Sequence, residues 1–289
     1  MTLDYARAWL ARVRFEQGQW NEADELAGRV GDKPGVSVIA PIVALTVLGR
    51  IRTRRGDPGA AEALERAWTL SEKTGDLQRL WPAAAGRAEL AWLSGKVGEM
   101  RGLVEPVLDL ASRLRSRWAI GELAYWAWKA GGLTTPPEYA AEPYALQVLG
   151  DWRAGAAAWE RLGCPYERAL ALAEGDEAAQ RDALRIFEGL GAEPAAESVR
   201  RGLRARGARG VPRGPRAATK TNPAGLTARE MEVLGLLAEG LQNVEIGARL
   251  FVSAKTVDHH ISAVLSKLKA RSRAEAVAAA YRQKILAPP

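Results

Sequence analysis

The sequence predicts an all-α protein in two parts, an array of helical repeats followed by a small four-helix domain, and three observations point to it. Apolar residues recur at helical spacing through most of the chain, with hardly any period-two stretches. Turn signals at Gly18-Gln19, Gly56-Asp57-Pro58, Gly95-Lys96 and Gly131-Gly132 place a glycine every 38, 39 and 36 residues. Charge is divided unevenly: residues 201–289 hold 16 Lys+Arg against 6 Asp+Glu, and residues 1–200 hold 25 against 28. Such asymmetry is the footprint of one part that meets a polyanion and another that does not. The expected division is 1–206 for the repeats, 207–225 for a linker and 226–289 for the basic domain.

In the first part, a period of 35 to 40 residues with two helical stretches per unit predicts stacked helix-turn-helix pairs, each burying its apolar face on its neighbour. The pattern is similar to tetratricopeptide repeats. Gly18 and Gly56 each have Ala five residues on (Ala23, Ala61), whereas Gly95 has Met100, so the array is TPR-like. All ten tryptophans lie here, from Trp9 to Trp159. Trp118, Tyr125 and Trp126 share one helical face, suited either to core packing or to a groove for a protein or small-molecule effector. The three prolines between Leu133 and Tyr144 predict a break in the array, with helix resuming over Gly150–Leu172 and Asp176–Arg206. From Gly207 to Gly225 Arg alternates with Gly and Pro, which predicts an exposed tether whose arginines either stay solvated or touch phosphates.

Several function classes are excluded. One cysteine, Cys164, allows no internal disulfide, and His259 and His260 as the only histidines leave no zinc or haem cluster. No nucleophile-base set stands out, so neither catalytic residues nor a cofactor are expected and the chain is not read as an enzyme. The one Gly-Lys, Gly95-Lys96, has Leu90 where a phosphate loop needs its first glycine, so ATP binding is not expected. No apolar run reaches the ~18 residues of a membrane span, and Met1–Glu16 mixes charge into its apolar residues, unlike a secretory signal. A cytoplasmic protein without membrane contact is the expectation.

The basic domain reads helix by helix. Thr227-Ala-Arg-Glu230 is a capping box opening a helix that runs to Glu239, with Val233, Leu234, Leu237 and Ala238 inward and Gly240 as its stop. A short helix from Asn243 to Leu250 follows, with Ile246 and Leu250 inward. Phe251-Val252 turns the chain and Ser253 is the N-cap of a third helix. There Val257, Ile261, Val264 and Leu268 form a buried stripe, while Lys255, Asp258, His259, Ser262 and Ser266 form a polar column opposite. A polar column at the start of a helix, behind a short helix and a tight turn, is what insertion into a DNA major groove requires. Ser272-Arg-Ala-Glu275 opens a fourth helix whose apolar side, Ala276, Val277, Ala280 and Tyr281, is a candidate surface for packing or dimerisation.

The run Leu226-Thr227-x-Arg229-Glu230-x-Glu232-Val233-Leu234, Gly240-x-x-Asn243-x-Glu245-Ile246, Ser253-x-Lys255-Thr256-Val257-x-x-His260, Lys267-Leu268 and Arg271-x-Arg273-Ala274-Glu275-Ala276 resembles the LuxR/NarL (GerE-type) DNA-binding domain over about 60 residues. The resemblance implies a helix-turn-helix in which the third helix enters the major groove and the fourth makes a dimer contact. It implies base readout by Asp258, His259 and Ser262, and phosphate contacts from Lys255, Thr256, Lys267 and Arg271. Two positions depart from the family pattern: Asp258, where many members carry Lys or Arg, and Gly247, where many carry Ala. An aspartate accepts from cytosine N4 and repels phosphate, so a different preferred sequence is expected. Asp258 could alternatively orient His259 or Lys255, and His260 serves packing or phosphate contact. Upstream, PYERALALAEG (165–175) and GVPRGPR (210–216) resemble the repeat region of large ATP-binding LuxR-family regulators.

The expected function is a sequence-specific transcriptional regulator that binds double-stranded DNA as a homodimer. The rival is a helical-repeat scaffold whose C-terminal domain mediates protein contacts.

Overall fold

The computed structural model describes residues 3–30, 38–212, 224, 226, 228–250, 252–283 and 285–286. All regular structure among them is helical, and the chain divides into two compact units, Met1–Pro212 and Arg213–Pro289. The first holds α1 (Leu3–Glu16), α2 (Trp20–Gly28), α3 (Ile39–Arg55), α4 (Ala60–Thr74), α5 (Leu77–Leu93), α6 (Val97–Arg113), α7 (Arg117–Lys129), α8 (Glu142–Val148), α9 (Trp152–Arg161), α10 (Pro165–Ala173), α11 (Glu177–Leu190) and α12 (Glu193–Ala205). The second holds α13 (Ala228–Ala238), α14 (Asn243–Leu250), α15 (Ala254–Lys267) and α16 (Arg273–Arg282).

The four spaced glycines end the first helix of each pair. Gly18, Gly56, Gly95 and Gly131 have φ of 76, 77, 76 and 74°, the left-handed conformation that lets the chain reverse after a helix at no side-chain cost. Pairs α1/α2, α3/α4 and α5/α6 pack closely. The second helices are amphipathic: α4 buries Ala60, Ala63, Leu64, Ala67 and Ser71, and α6 buries Met100, Val104, Val107 and Ala111. Helix α3, by contrast, is enclosed on most sides and buries Thr46, Arg50, Thr53 and Arg54 among its apolar residues. The proline-rich break ends sooner than the sequence suggests, because Pro143 sits in the first turn of α8, where its fixed φ suits a helix start.

Neighbour-on-neighbour stacking does not describe the whole unit. Its last helices return to its first: the Trp20 and Tyr166 rings lie 5.7 Å apart, Arg54 on α3 bonds Glu167 on α10 at 2.8 Å, and α12 packs on α3. At Gly18 a Cβ would come within 2.8 Å of both Pro165 and Leu190 side-chain atoms. One hydrophobic core therefore runs from Ala11 to Leu203.

At its centre is a cluster of buried charge. Arg50 Nε and Arg54 Nε donate to the two oxygens of Glu89 at 2.8 and 2.7 Å. Arg50 also reaches Glu122 at 2.8 Å, and the Arg54 guanidinium lies 3.7 Å from the Tyr166 ring centroid and 4.3 Å from that of Phe15. Burial alone would raise the pKa of Glu89, but Arg54 and Arg50 outweigh it and hold the carboxyl below its ordinary value. For Glu167 burial prevails over Arg54 and the pKa is raised.

Two expectations change. Tyr125 and Trp126 are buried in the core, whereas Trp118, on the same helix, is 45% exposed. The first residues of the tether expected from Gly207 are held on the unit: Ala208 and Val211 pack against the core, and Arg181 and Arg204 donate to the carbonyls of Arg209 and Pro212 at 2.6 and 3.0 Å. Of the rest of that segment, residues 213–223 and 225 lie outside the described residues.

Replacing Glu89→Gln would leave two buried guanidiniums short of charge compensation, and we expect a loss of about 3–5 kcal/mol in the stability of the first unit, read from urea unfolding. An unchanged midpoint would mean that the cluster contributes no more than a surface pair.

Candidate nucleic-acid interface

In the second unit α15 is clasped by the other three helices. Val257, Ile261, Val264 and Leu268 are buried; Val257 and Ile261 meet Val233, Leu236, Leu237 and Ile246, while Val264 and Leu268 meet Leu226, Leu234, Ala276, Ala279 and Ala280. With that stripe facing inward, Lys255, Asp258, His259, Ser262 and Ser266 are exposed on the other side.

The starts of α14, α15 and α16 are each held by a specific contact. Ser253 Oγ accepts from Thr256 N at 3.0 Å and lies 2.8 Å from Thr256 Oγ1, so α15 begins at a fixed residue. Thr256 is thereby half-buried and engaged with its cap. For α14 the Glu245 carboxylate accepts from Gln242 N at 2.7 Å, the return half of a capping box. At α16 Ser272 Oγ accepts from Glu275 N at 3.2 Å, and the Glu275 carboxylate reaches Arg271 N at 2.7 Å, one residue before the cap. Thr227, and with it the first capping box, lies outside the described residues.

Other contacts were not foreseeable from helical spacing. Arg229 on α13 donates to the Leu250 carbonyl at 2.5 Å, satisfying an orphan acceptor at the end of α14. Lys267 Nζ lies 2.6 Å from the buried Glu230 carboxylate, an ion pair that ties the end of α15 to α13. Asn243 joins three helices. Its Oδ1 accepts from Arg273 on α16 at 2.9 Å, and its Nδ2 donates to Asp258 Oδ1 on α15 at 3.4 Å. Asn243 is thus the side chain that reaches Asp258. Arg271 is exposed and His260 half-buried.

The apolar side of α16 is largely spent inside the domain. Ala276 and Ala280 are fully buried, so they cannot line a dimer surface, and of the four residues expected there only Val277 and Tyr281 keep partial exposure.

The arrangement is a capped helix held from behind with its polar N-terminal half open to solvent. Residues 224–280 match the family of bacterial regulatory proteins of the luxR type. They are a LuxR-family DNA-binding domain. Over 61 residues this chain is 48% identical to the transcriptional regulatory protein LiaR of Bacillus subtilis, covering 21% of this chain and 29% of LiaR. It is 44% identical over 61 residues to the oxygen regulatory protein NreC of Staphylococcus carnosus, covering 21% and 28%. To the DNA-binding transcriptional activator DevR/DosR of Mycobacterium tuberculosis it is 43% identical over 74 residues, covering 25% and 34%. The chain therefore spans about a third or less of these relatives' length. No solved structure matches it.

The LuxR-type domain also explains one departure from the family pattern. At Gly247 a Cβ would fall 2.7 Å from the Val252 carbonyl oxygen, a backbone atom with little room to yield. The turn between α14 and α15 is packed too closely for a methyl group. We expect Gly247→Ala to cost about 1–3 kcal/mol by overpacking despite alanine's better helix propensity, seen as a lower unfolding midpoint of the second unit; a stabilised variant would contradict the close approach.

Proposed function

We propose that the chain is a transcriptional regulator that acts in the cytoplasm by binding double-stranded DNA through α15 as a homodimer, under the control of its helix-pair unit. The reading rests on one observation above all: the outer face of α15 exposes Lys255, Asp258, His259 and Ser262 and carries no apolar anchor. A helix that docked on protein would present apolar side chains, which disfavours the scaffold reading.

Asp258, His259 and Ser262 read base edges, and Asn243 holds the Asp258 carboxylate in place to accept from cytosine N4. Lys255, Thr256, Lys267 and Arg271 contact phosphates and set register. Val277 and Tyr281 are the residues of α16 that remain for a dimer contact, and two half-sites about one helical turn apart would follow. The first unit contributes the regulatory input, as a sensor or a docking surface, and no residue set for catalysis is assigned to it. No helix among the described residues is long and apolar enough to cross a membrane.

Duplexes selected from genomic DNA by the full chain test the reading. Binding should weaken steeply with salt, and Lys255→Ala should weaken it on every sequence while lowering the log-log salt slope by about one. Asp258→Asn should cost ~1–3 kcal/mol at one base pair and leave the others unchanged. A chain that shifts no duplex at low salt would sink the proposal.

A further inference from the structure

Between the first helices of successive pairs lies a cavity of about 710 Å³, within the size range of small-molecule sites. Helices α1, α3, α5 and α7 line it, with Tyr144 of α8 and Trp159 of α9 closing it. Its walls are aromatic: Trp9, Trp81, Trp118, Tyr144 and Trp159 all face it. Trp118 leans on Tyr144 and Trp159 at ring-centroid distances of 6.3 and 6.2 Å, yet remains 45% exposed. An indole left that open beside an apolar hollow is surface that a flat ligand would cover.

The charges in the wall are not equally well paired. Arg12 is 2.5 Å from Glu16, and Glu122 is held by Arg50 at 2.8 Å and by Trp81 Nε1 at 2.7 Å. Cys164 adds no charge, because burial pushes its thiol up to about 12. Arg79 is the exception. It is only 6% exposed, but its partners are distant: Asp76 Oδ2 at 4.0 Å, the other oxygen of that carboxylate capping α5 through Gln78 N, and Gln78 Oε1 at 3.4 Å. Its Nε has no hydrogen-bond partner, nor has the buried Trp9 Nε1 whose ring lies 5.9 Å from the Arg79 guanidinium. The other buried arginines, Arg50, Arg54 and Arg200, each hold a carboxylate within 2.8 Å. A buried cation so weakly paired is suited to an anion with acceptor oxygens.

We infer that this cavity binds a planar aromatic carboxylate, whose ring lies among Trp81, Trp118 and Trp159 and whose carboxylate accepts from the Arg79 guanidinium. The inference rests on the reading of the first unit as a sensor and gives that sensor a ligand class.

Titration calorimetry of the full chain with 2-naphthoate and its neutral twin 2-naphthamide tests it. The acid should bind one to one and at least about tenfold more tightly than the amide, the difference expected for charge-assisted bonds. Arg79→Gln should reduce the acid to the affinity of the amide, and Trp118→Ala should weaken both by a similar factor. Should Arg79→Gln fail to fold, the ratio in the unaltered chain and the Trp118 variant decide. Equal affinity for the twins, or binding of neither, overturns the inference. Acid binding that leaves duplex affinity unchanged supports the site and counts against the sensor reading, so the two can fail separately.

Discussion

The first unit depends on a constraint imposed by five buried charges. Arg50 and Arg54 on α3 pair with Glu89 on α5, Glu122 on α7 and Glu167 on α10. Desolvating so many charges is tolerable only when each finds its partners. A helix pair on its own could not supply them, and α10 is far from α3 in sequence. Closing the array on itself is what brings the fourth helix in. The aromatic rings of Phe15, Trp20 and Tyr166 then enclose the Arg54 guanidinium and exclude water from it.

Three of the helices that converge on this cluster, α3, α5 and α7, also border the cavity. Glu122 belongs to both, holding Arg50 through one oxygen and the cavity residue Trp81 through the other. A ligand pressing on Trp81 would act directly on the packing of α5 against α7. The inner helices thus carry the polar chemistry of the unit, and outer helices such as α4 and α6 supply plain amphipathic cover.

The second unit solves a simpler problem. Fourteen residues of α15 divide between a stripe that closes two small cores and a face left to solvent. The cap at Ser253 and the close approach at Gly247 fix where that helix starts and how near it lies to α14. Asn243 then aligns the one acidic side chain on the face. Alanines in α16 complete the core, so most of its apolar side is consumed within the domain.

Much of this was legible in the sequence, because it is local. Helical periodicity located the stripe of Val257, Ile261, Val264 and Leu268, glycine spacing located the turns, and a serine ahead of a helix marked its cap; each signal acts within a few residues of itself. The family of the C-terminal domain was legible for the same reason, since its motif is a continuous run. What periodicity could not carry were pairings between distant residues: Arg54 with Glu167, Lys267 with Glu230, Asn243 with Arg273 and Asp258. A charged residue at an inward helical position reads as exposed until its partner is known, which is why Arg50 and Arg54 gave no sign of forming a core. Sequence by itself determined the helices, their faces and the DNA-binding family; only the tertiary structure decided the closure of the array, the cavity and its weakly paired Arg79, because burial and charge compensation are properties of what the chain brings together rather than of the residue itself.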